Sequence, residues 1–508
     1  MAATPSTSAP YASAYATRRA ELDAIAVRDW GVVIDGTARP AAGGKTFTTI
    51  DPATDAPLAQ VADGGAADID AAVRSAQKGF ETWRRYSPQG RASAVREFAA
   101  AIRAQVEELA LLDAVDGGSP VASMRGDARW AADHLEMFAD WALMIKGDTY
   151  PGTGTGLHYS RLEPYGVVGR IIPFNHPLFF AAGKLGAPLM AGNAVIVKPP
   201  PQAPLSAIRM GEIAAQVLPA GLVNVVPGAG PETGAAISAH PDIPRIAFIG
   251  SEGTGRAIQR ASAQAAVKNV TLELGGKNAM VVLPDADLER AAVGVVSGMN
   301  FTASQGESCG SNSRLVVHRS VADELVARVV ELVERIRVGV PVDETTQMGA
   351  LVTREHLDRV RSYVAAGLAE GAVLATGGDR PEHLPHGCFL APTVFTGVTP
   401  TMRIAQEEIF GPVLSVITVD DDDEALRVAN DVRYGLTASV WTENLRRAQR
   451  FVDAFQAGYV WVNDSARHFP GLPFGGVKAS GIGKEESIEE LLGFAQTKVV
   501  NVRTDWDA

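Results

Sequence analysis

Short apolar runs alternate with amphipathic stretches through the middle of the chain, from Tyr165 onward. Short unbroken apolar strands separated by helices are typical of a parallel sheet that is covered on both faces. The pattern predicts strands at Val167–Ile172, Ala194–Lys198, Val223–Val226, Arg245–Ile249 and Val270–Leu274. The intervening helices are predicted over Leu205–Val217, Glu232–Ser238 and Gly253–Ala266.

A second alternating unit follows the first. Its predicted helices include Asp287–Val296 and Val321–Ile336, and its predicted strands are Arg314–Val317, Ser415–Val419, Ala438–Trp441 and Tyr459–Asn463. Two such units predict an α/β fold with two doubly wound, Rossmann-like domains.

The segments outside these units have other patterns. Asp68–Leu112 and Asp127–Ile145 place apolar residues at helical spacing. Gly147–Pro164 predicts two extended pieces around a Gly/Thr turn, and Ala495–Val502 a last strand. Met1–Ala20 is rich in Ala, Ser, Thr and Pro and lacks the apolar centre of a secretory signal, so a disordered or strand-adding tail is expected.

Composition narrows the class of protein. The chain of 508 residues is 46% hydrophobic and has a net charge of −12, without a basic block, which argues against a nucleic-acid partner. No apolar run approaches the roughly 20 residues of a membrane-spanning helix. Two cysteines far apart exclude a disulfide scaffold and fit a reducing compartment, so we expect a cytoplasmic protein.

No metal site is predicted. Glu382, His383, His386 and Cys388 are close in sequence, but Pro385 interrupts them. No His-Glu-x-x-His spacing exists, and Cys388 is interpreted as a packing residue.

The candidate chemistry lies between residues 270 and 314. Glu273 ends an apolar strand before two glycines, and Cys309 lies among small and polar residues. A free thiol has a pKa of about 8.5 and needs a nearby base to become a nucleophile, which a carboxylate can supply. Taken alone, Cys309 is better interpreted as a small buried hydrophobe than as a nucleophile.

The sequence motifs around these residues resemble those of the aldehyde dehydrogenase superfamily. Glu273-Leu-Gly-Gly-Lys is followed by Gln305-Gly-Glu-Ser-Cys309, and further matching motifs occur in the family's order. These are Pro173-Phe-Asn-His-Pro177, Phe248-Ile-Gly-Ser-Glu-Gly-Thr-Gly255, Glu407-Glu-Ile-Phe-Gly-Pro412 and Pro473-Phe-Gly-Gly-Val-Lys478.

The resemblance implies a domain organisation. Residues 1–145 and 166–275 would form the NAD(P)-binding domain, and residues 276–485 the catalytic domain. Residues 146–165 and 486–508 would form a small β flap that joins subunits into a homodimer or homotetramer.

The resemblance also implies a dinucleotide site. Gly250 and Ser251 follow a strand and open a helix, where free N–H groups favour a pyrophosphate. Lys198 would contact the adenosine ribose, and Glu408 and Phe410 the nicotinamide ribose and ring. The full predicted set is Ile172, Pro173, Lys198, Gly230, Gly234, Gly250, Ser251, Leu274, Glu408 and Phe410.

One position departs from the family pattern. Many NAD-preferring members have a glutamate three residues after the lysine, where this chain has Pro201. A carboxylate binds the ribose hydroxyls and repels a 2′-phosphate, and proline does neither. NAD is therefore the expected cofactor, with NADP tolerated.

The implied reaction is oxidation of an aldehyde to a carboxylic acid. Cys309 would attack the carbonyl, Asn175 and a backbone N–H would hold the oxyanion, and hydride loss to the nicotinamide would leave a thioester. Glu273 would then activate water; relatives that transfer the acyl group to coenzyme A generally lack it. An inactive binding or structural protein on the same fold, or an esterase side activity, is the alternative from another class.

Substrate-lining positions are implied as well. They are Trp130, His176, Phe179, Phe180, Gly183, Arg467, His468 and Phe474. Gly183 stands where many relatives have a bulky aromatic residue, so a wide tunnel with aromatic walls is expected, favouring an aromatic or medium-chain apolar aldehyde. The alternative is a semialdehyde, because a cation near the mouth, from Arg467, His176 or His468, could pair with its carboxylate.

Overall fold

The computed structural model describes residues 9–152, 154 and 156–504, and two mainly parallel sheets form its centre. The prediction of two doubly wound α/β units is therefore confirmed. The predicted strand boundaries agree with the observed ones to within two residues.

Five parallel strands form the centre of the first sheet, with antiparallel strands at both edges. In sheet order the strands are Thr37–Arg39, Val32–Ile34, Val223–Val225, Ala194–Lys198, Val167–Ile171, Arg245–Ile249, Asn269–Glu273 and Gly481–Ile482. The central strands are buried because helices cover both faces. The edge strand Gly481–Ile482 comes from the segment predicted to belong to the catalytic domain, so the two halves of the chain are joined through this sheet.

The second sheet has seven strands, all parallel except for the pairing at one edge. In sheet order they are Val373–Thr376, Thr393–Thr396, Val413–Val419, Arg314–His318, Ala279–Val282, Thr437–Trp441 and Tyr459–Val462. A hairpin of Thr46–Asp51 with Ala56–Ala62 and a short pair of Tyr434–Gly435 with Val477–Lys478 complete the two units.

Helices connect the strands and cover the sheets. In the first half they are Ala66–Trp83, Pro88–Ala104, Val106–Gly117, Val121–Asp140, Pro177–Ala182, Gly186–Ala191, Leu205–Val217, Glu232–Ala239 and Glu252–Ala265, with single turns at Ala142–Met144 and Gly183–Leu185. In the second half they are Leu288–Gly298, Phe301–Ser304, Arg319–Glu334, Arg354–Ala369, Arg403–Gln406, Asp422–Asn430, Leu445–Ala454 and Ile488–Gly493. Among the described residues, no helix is both long and apolar enough to cross a membrane.

The predicted extended flap is a three-stranded antiparallel sheet. Ala495–Arg503 pairs with Gly156–Pro164 along its whole length, and Thr149–Tyr150 adds a short third strand. Part of the Gly/Thr turn, residues 153 and 155, and the last four residues of the predicted C-terminal oligomerisation segment lie outside the described residues.

The expectation of a disordered or strand-adding tail is wrong from residue 9 onward, while residues 1–8 lie outside the described part. Ala9–Thr17 and Arg19–Val27 are helices. Alanine has the highest helix propensity, and the segment is held by tertiary contacts that its composition does not reveal. Tyr15 is buried, and its hydroxyl donates a 2.6 Å hydrogen bond to Asp51.

Candidate active site

Four predicted site residues lie at the carboxyl ends of neighbouring parallel strands. Lys198 and Glu273 are the last residues of their strands, Gly250 follows Arg245–Ile249, and Asn175 lies shortly after Val167–Ile171. The Gly250 amide donates to the Glu273 carbonyl, 3.0 Å away. Ligands bind at this edge of doubly wound sheets, so the topology brings together residues that are up to about a hundred positions apart.

Cys309 reaches the same edge on a turn that is built from uncommon backbone conformations. The helix Phe301–Ser304 is followed by Gln305 and Gly306, which both have positive φ, 54° and 72°. Two contacts fix the turn: the Asn278 side-chain amide donates to the Cys309 carbonyl at 2.7 Å and to the Ser311 carbonyl at 2.9 Å. The loop is therefore held rigidly against the strand that follows Glu273.

Two cavities meet at the thiol. One has a volume of about 340 Å³ and the other of about 70 Å³. Four residues line both cavities, namely Asn175, Ile249, Glu273 and Cys309. The thiol, the carboxylate and the amide predicted to carry the chemistry thus lie together where the cavities join.

Burial perturbs the acid–base groups at this junction. Burial raises the pKa of the Cys309 thiol, and the Glu273 and Glu408 carboxylates raise it further. Burial likewise raises the pKa of Glu273 well above its usual range, with Glu485 adding to the effect, although the Gly476 amide donates to Glu273 at 3.2 Å. A carboxylate with a raised pKa is a stronger base near neutral pH than an exposed one.

The side-chain amide of Asn175 lines both cavities, and its oxygen is unpaired among the described residues. This oxygen is also buried. Buried polar groups are normally paired, so an unpaired amide beside a thiol indicates a role for a ligand. An amide N–H in this place could stabilise an oxyanion.

Most of the predicted cofactor residues line the larger cavity, and some lie outside it. Those that line it are Pro173, Gly250, Ser251, Leu274, Glu408 and Phe410. Those that do not line it are Ile172, Lys198, Gly230 and Gly234. The sequence did not indicate that Phe174, Ile249, Gly275, His356 and Arg359 line this cavity as well.

The larger cavity and its surroundings fit a dinucleotide. Ser251 caps the helix Glu252–Ala265 by accepting from the Thr254 N–H, and the start of a helix favours a pyrophosphate through its N–H groups and dipole. A Cβ at Gly250 would lie 2.5 Å from the Phe248 ring, so only glycine fits there. The Lys198 amine is buried without a hydrogen-bond partner among the described residues, and burial, opposed by Asp63, lowers its pKa to about 8. Such an amine is suited to bind ribose hydroxyls.

Glu408 lies beside the Gly-Gly pair that follows Glu273. The Gly276 amide donates to its carboxylate at 2.9 Å, and a Cβ at Gly275 would lie 2.1 Å from the same carboxylate. Arg359 holds the segment around Glu408, because its guanidinium donates to the carbonyls of Glu408 and Ile409 at 2.8 and 2.9 Å. Burial raises the pKa of Glu408 to about 7.

Six predicted substrate residues line the smaller cavity. They are Trp130, His176, Phe179, Phe180, His468 and Phe474. Trp130 stacks on Phe179 with ring centroids 4.2 Å apart, and His468 packs against Phe474 at 4.4 Å. The expected aromatic walls are therefore present.

Two predicted substrate residues lie elsewhere. Gly183 is buried, and a Cβ there would lie 3.2 Å from the Phe179 ring. The wider tunnel at Gly183 stays a prediction; the ring of Phe179 lies next to this position and stacks on Trp130. Arg467 is exposed and lies over the ring of Phe469, 5.0 Å from its centroid, and it does not line the cavity.

A buried ion-pair cluster forms part of the same wall and was not foreseen. Lys184 is only 1% exposed and contacts Glu485 at 2.9 Å and Glu486 at 3.2 Å. Arg170 contacts Glu485 at 2.9 Å and Glu490 at 3.1 Å. Although burial opposes it, Lys184 and then His468 hold the pKa of Glu486 well below its usual range. A lone lysine in the otherwise apolar Pro177–Ala191 segment was the only sequence signal.

Comparison with known proteins identifies the family. The aldehyde dehydrogenase family model matches residues 39–500. An aldehyde dehydrogenase of Talaromyces stipitatus, tropH, is 44% identical over 463 residues and covers 89% of each chain. This chain therefore belongs to the aldehyde dehydrogenase family.

Solved structures agree with this assignment. The NAD+ complex of an aldehyde dehydrogenase from Bacillus cereus is 40% identical, with a TM-score of 0.92, and the match covers 96% of this chain and 99% of that one. The indole-3-acetaldehyde dehydrogenase AldA of P. syringae, in complex with NAD+ and IAA, is 38% identical, with a TM-score of 0.91 and coverage of 94% and 97%.

Proposed function

We propose that this protein oxidises an aromatic or medium-chain apolar aldehyde to its carboxylic acid with reduction of NAD(P). One observation carries the proposal: Cys309, Glu273 and Asn175 lie where a cavity of about 340 Å³, lined by six of the predicted cofactor residues, joins a smaller cavity with aromatic walls. Absorbance of reduced nicotinamide, followed with and without an aldehyde, tests it. Absence of turnover with every aldehyde would favour a binding or structural protein.

In the proposed mechanism, Cys309 loses its proton to Glu273 or to a water that Glu273 holds, and the thiolate attacks the aldehyde carbon. The Asn175 amide and a backbone N–H of the Cys309 turn stabilise the oxyanion of the thiohemiacetal; losing one such donor typically costs about 10²–10³ in rate. Glu408 and Phe410 would hold the nicotinamide in the larger cavity, where the oxidised ring would supply the hydride acceptor that converts the thiohemiacetal to a thioester. Glu273 then deprotonates the water that hydrolyses the thioester.

We propose NAD as the preferred cofactor, with NADP tolerated. Glu408 and Phe410 would hold the nicotinamide end, and Lys198 the adenosine ribose. NAD+ complexes of related aldehyde dehydrogenases support the nicotinamide class. Pro201, which stands three residues after Lys198, presents no carboxylate to a 2′-phosphate.

Pro201→Glu is expected to raise the ratio of kcat/KM for NAD to that for NADP by about tenfold or more, because the new carboxylate repels a 2′-phosphate. Pro201→Gln is the matched control: it adds a side chain of similar size without charge and should change the ratio much less. Initial rates with both cofactors at a fixed aldehyde concentration measure it. A wild-type enzyme that already rejects NADP by about a thousandfold would contradict this interpretation of Pro201.

The aromatic wall supports an aromatic or apolar substrate. Burying a ring against Trp130, Phe179 and Phe474 is favourable by a few kcal/mol. The P. syringae relative is named for an aldehyde that bears an indole ring. Arg467 is exposed and does not line the small cavity, which supports the apolar substrate over the semialdehyde alternative.

Arg467→Ala is therefore expected to leave the order of substrates unchanged. We expect kcat/KM for benzaldehyde and hexanal to exceed that for succinic semialdehyde in both the wild type and the variant. The measurement is kcat/KM for these aldehydes with each protein. A strong semialdehyde preference that disappears in Arg467→Ala would overturn the proposed substrate class.

The antiparallel flap is the proposed site of assembly into a homodimer or homotetramer. Leu157 and Val499 project from its two long strands and are 48% and 58% exposed. Apolar side chains exposed on an extended sheet are favourable to bury between subunits.

A further inference from the structure

Two histidines in the small cavity have the same arrangement. His176 Nδ1 lies 2.6 Å from an Asp127 carboxylate oxygen, and His468 Nδ1 lies 2.9 Å from a Glu486 carboxylate oxygen. A carboxylate that accepts from Nδ1 leaves Nε2 as the remaining polar atom of the ring. Among the described residues, no hydrogen bond to Nε2 of either histidine occurs, although both side chains line the cavity.

The carboxylates fix the orientation of both rings. With Nδ1–H donated to the carboxylate, Nε2 of a neutral ring accepts a hydrogen bond and Nε2 of a protonated ring donates one. Burial would lower the pKa of His176, but Asp127 outweighs it, so the pKa lies above the usual value. His468 is held between Glu486 and the Phe474 ring. Neither ring can rotate without breaking its Nδ1 hydrogen bond in a region where burial makes that loss costly.

The charges of the cavity disfavour an anion. Lys184 is the one lysine or arginine in the lining, and Glu485 and Glu486 already pair with it. Glu486 and Asp127, behind the two histidines, repel a carboxylate that approaches the imidazoles. Each imidazole–carboxylate pair therefore offers a hydrogen-bonding nitrogen, Nε2, without a net positive charge.

We propose that His176 and His468 select aldehydes that carry a hydroxyl on an aromatic or aliphatic body. The substrate hydroxyl donates to Nε2 of a neutral ring or accepts from Nε2–H of a protonated ring, while the aromatic wall binds the carbon skeleton. This inference rests on the proposed aldehyde oxidation and narrows its substrate class. A site built to hydrogen-bond a substrate hydroxyl discriminates against the analogue that lacks it, because the polar group of the site is then left unpaired.

The test compares near-isosteric pairs of aldehydes. The pairs are 3-hydroxybenzaldehyde with 3-methylbenzaldehyde, and 4-(hydroxymethyl)benzaldehyde with 4-ethylbenzaldehyde; 3-carboxybenzaldehyde is the anionic probe. For each protein the ratio of kcat/KM for the hydroxylated to the methylated partner is measured. Differences in intrinsic reactivity cancel when the ratio in a variant is divided by the ratio in the wild type.

We expect His176→Phe or His468→Phe to lower this ratio by about tenfold for at least one pair, the scale of one lost hydrogen bond. His176→Gln, which keeps a hydrogen-bonding group, should retain part of the preference. Phe180→Leu, a change in the same wall without loss of a hydrogen-bonding group, should leave the ratio unchanged.

Equal ratios in the wild type and both phenylalanine variants would overturn the inference while leaving aldehyde oxidation intact. A preference for 3-carboxybenzaldehyde that falls in the histidine variants would also overturn it, in favour of an anionic substrate. Failure of the proposed function would be distinct, because no aldehyde would then be oxidised by the wild type.

Discussion

Cys309→Ala is expected to abolish NAD(P)-dependent aldehyde oxidation, lowering kcat by at least about 10³-fold. Alanine has no atom that can attack the carbonyl, so neither the thiohemiacetal nor the thioester can form. Cofactor binding should remain close to wild type, because the thiol is only one of many groups that line the larger cavity. Steady-state rates and cofactor titration by fluorescence measure the two effects.

The chain offers a matched control for this variant. Cys388 is buried and lines neither of the two cavities; its thiol contacts Asp55 at 3.5 Å, and burial raises its pKa to about 12. Cys388→Ala should therefore retain normal turnover. Turnover of Cys309→Ala above a few per cent of wild type would show that another group is the nucleophile.

Much of the fold could be predicted because its determinants are local. Strands such as Ala194–Lys198 and Arg245–Ile249 have the predicted bounds, since unbroken apolar runs between helices leave few alternatives. The helix Leu205–Val217 likewise has the predicted bounds. The N-terminal helices were missed because their order depends on contacts such as that of Tyr15 with Asp51, thirty-six positions away.

The site residues likewise fall into those that the sequence could predict and those that it could not. Cys309, Glu273 and Asn175 could be located from motifs, because each motif fixes a position at the end of a strand or on a tight turn. The surroundings of Gly183 could not be predicted from sequence, because the ring of Phe179 lies next to it and its conformation depends on stacking with Trp130.

The buried ion-pair cluster around Lys184 could not be predicted from the sequence. Lys184 and its partners Glu485 and Glu486 are about three hundred positions apart, and charged residues are ordinarily exposed. Only the three-dimensional structure shows that these charges neutralise one another beside the thiol. His468 and Glu486 are only 18 positions apart, but their sequence carries no motif that indicates their pairing in the lining of the small cavity.

Glu273→Gln is expected to separate the two halves of the proposed reaction. Oxidation that yields reduced cofactor precedes hydrolysis, so the variant should release up to one equivalent per site in a burst and then stall. The steady-state rate should fall by about 10²–10⁴-fold, the usual contribution of a general base. Rapid-mixing absorbance resolves the burst, and mass spectrometry of the quenched protein should find the acyl group on Cys309.

A matched isosteric change and the pH profile strengthen the test of Glu273. Glu307→Gln replaces a buried carboxylate that lies two residues before Cys309 and accepts from the Val352 amide at 3.1 Å. Because Glu307 lines neither cavity, the steady-state rate of this variant should resemble that of wild type.

In wild type, burial raises the pKa of Glu273, and the base acts only when deprotonated. The hydrolytic rate should therefore fall as the pH decreases through that raised pKa, and Glu273→Gln should lose this acidic limb. An unchanged steady-state rate and pH profile in Glu273→Gln would assign the base to another residue.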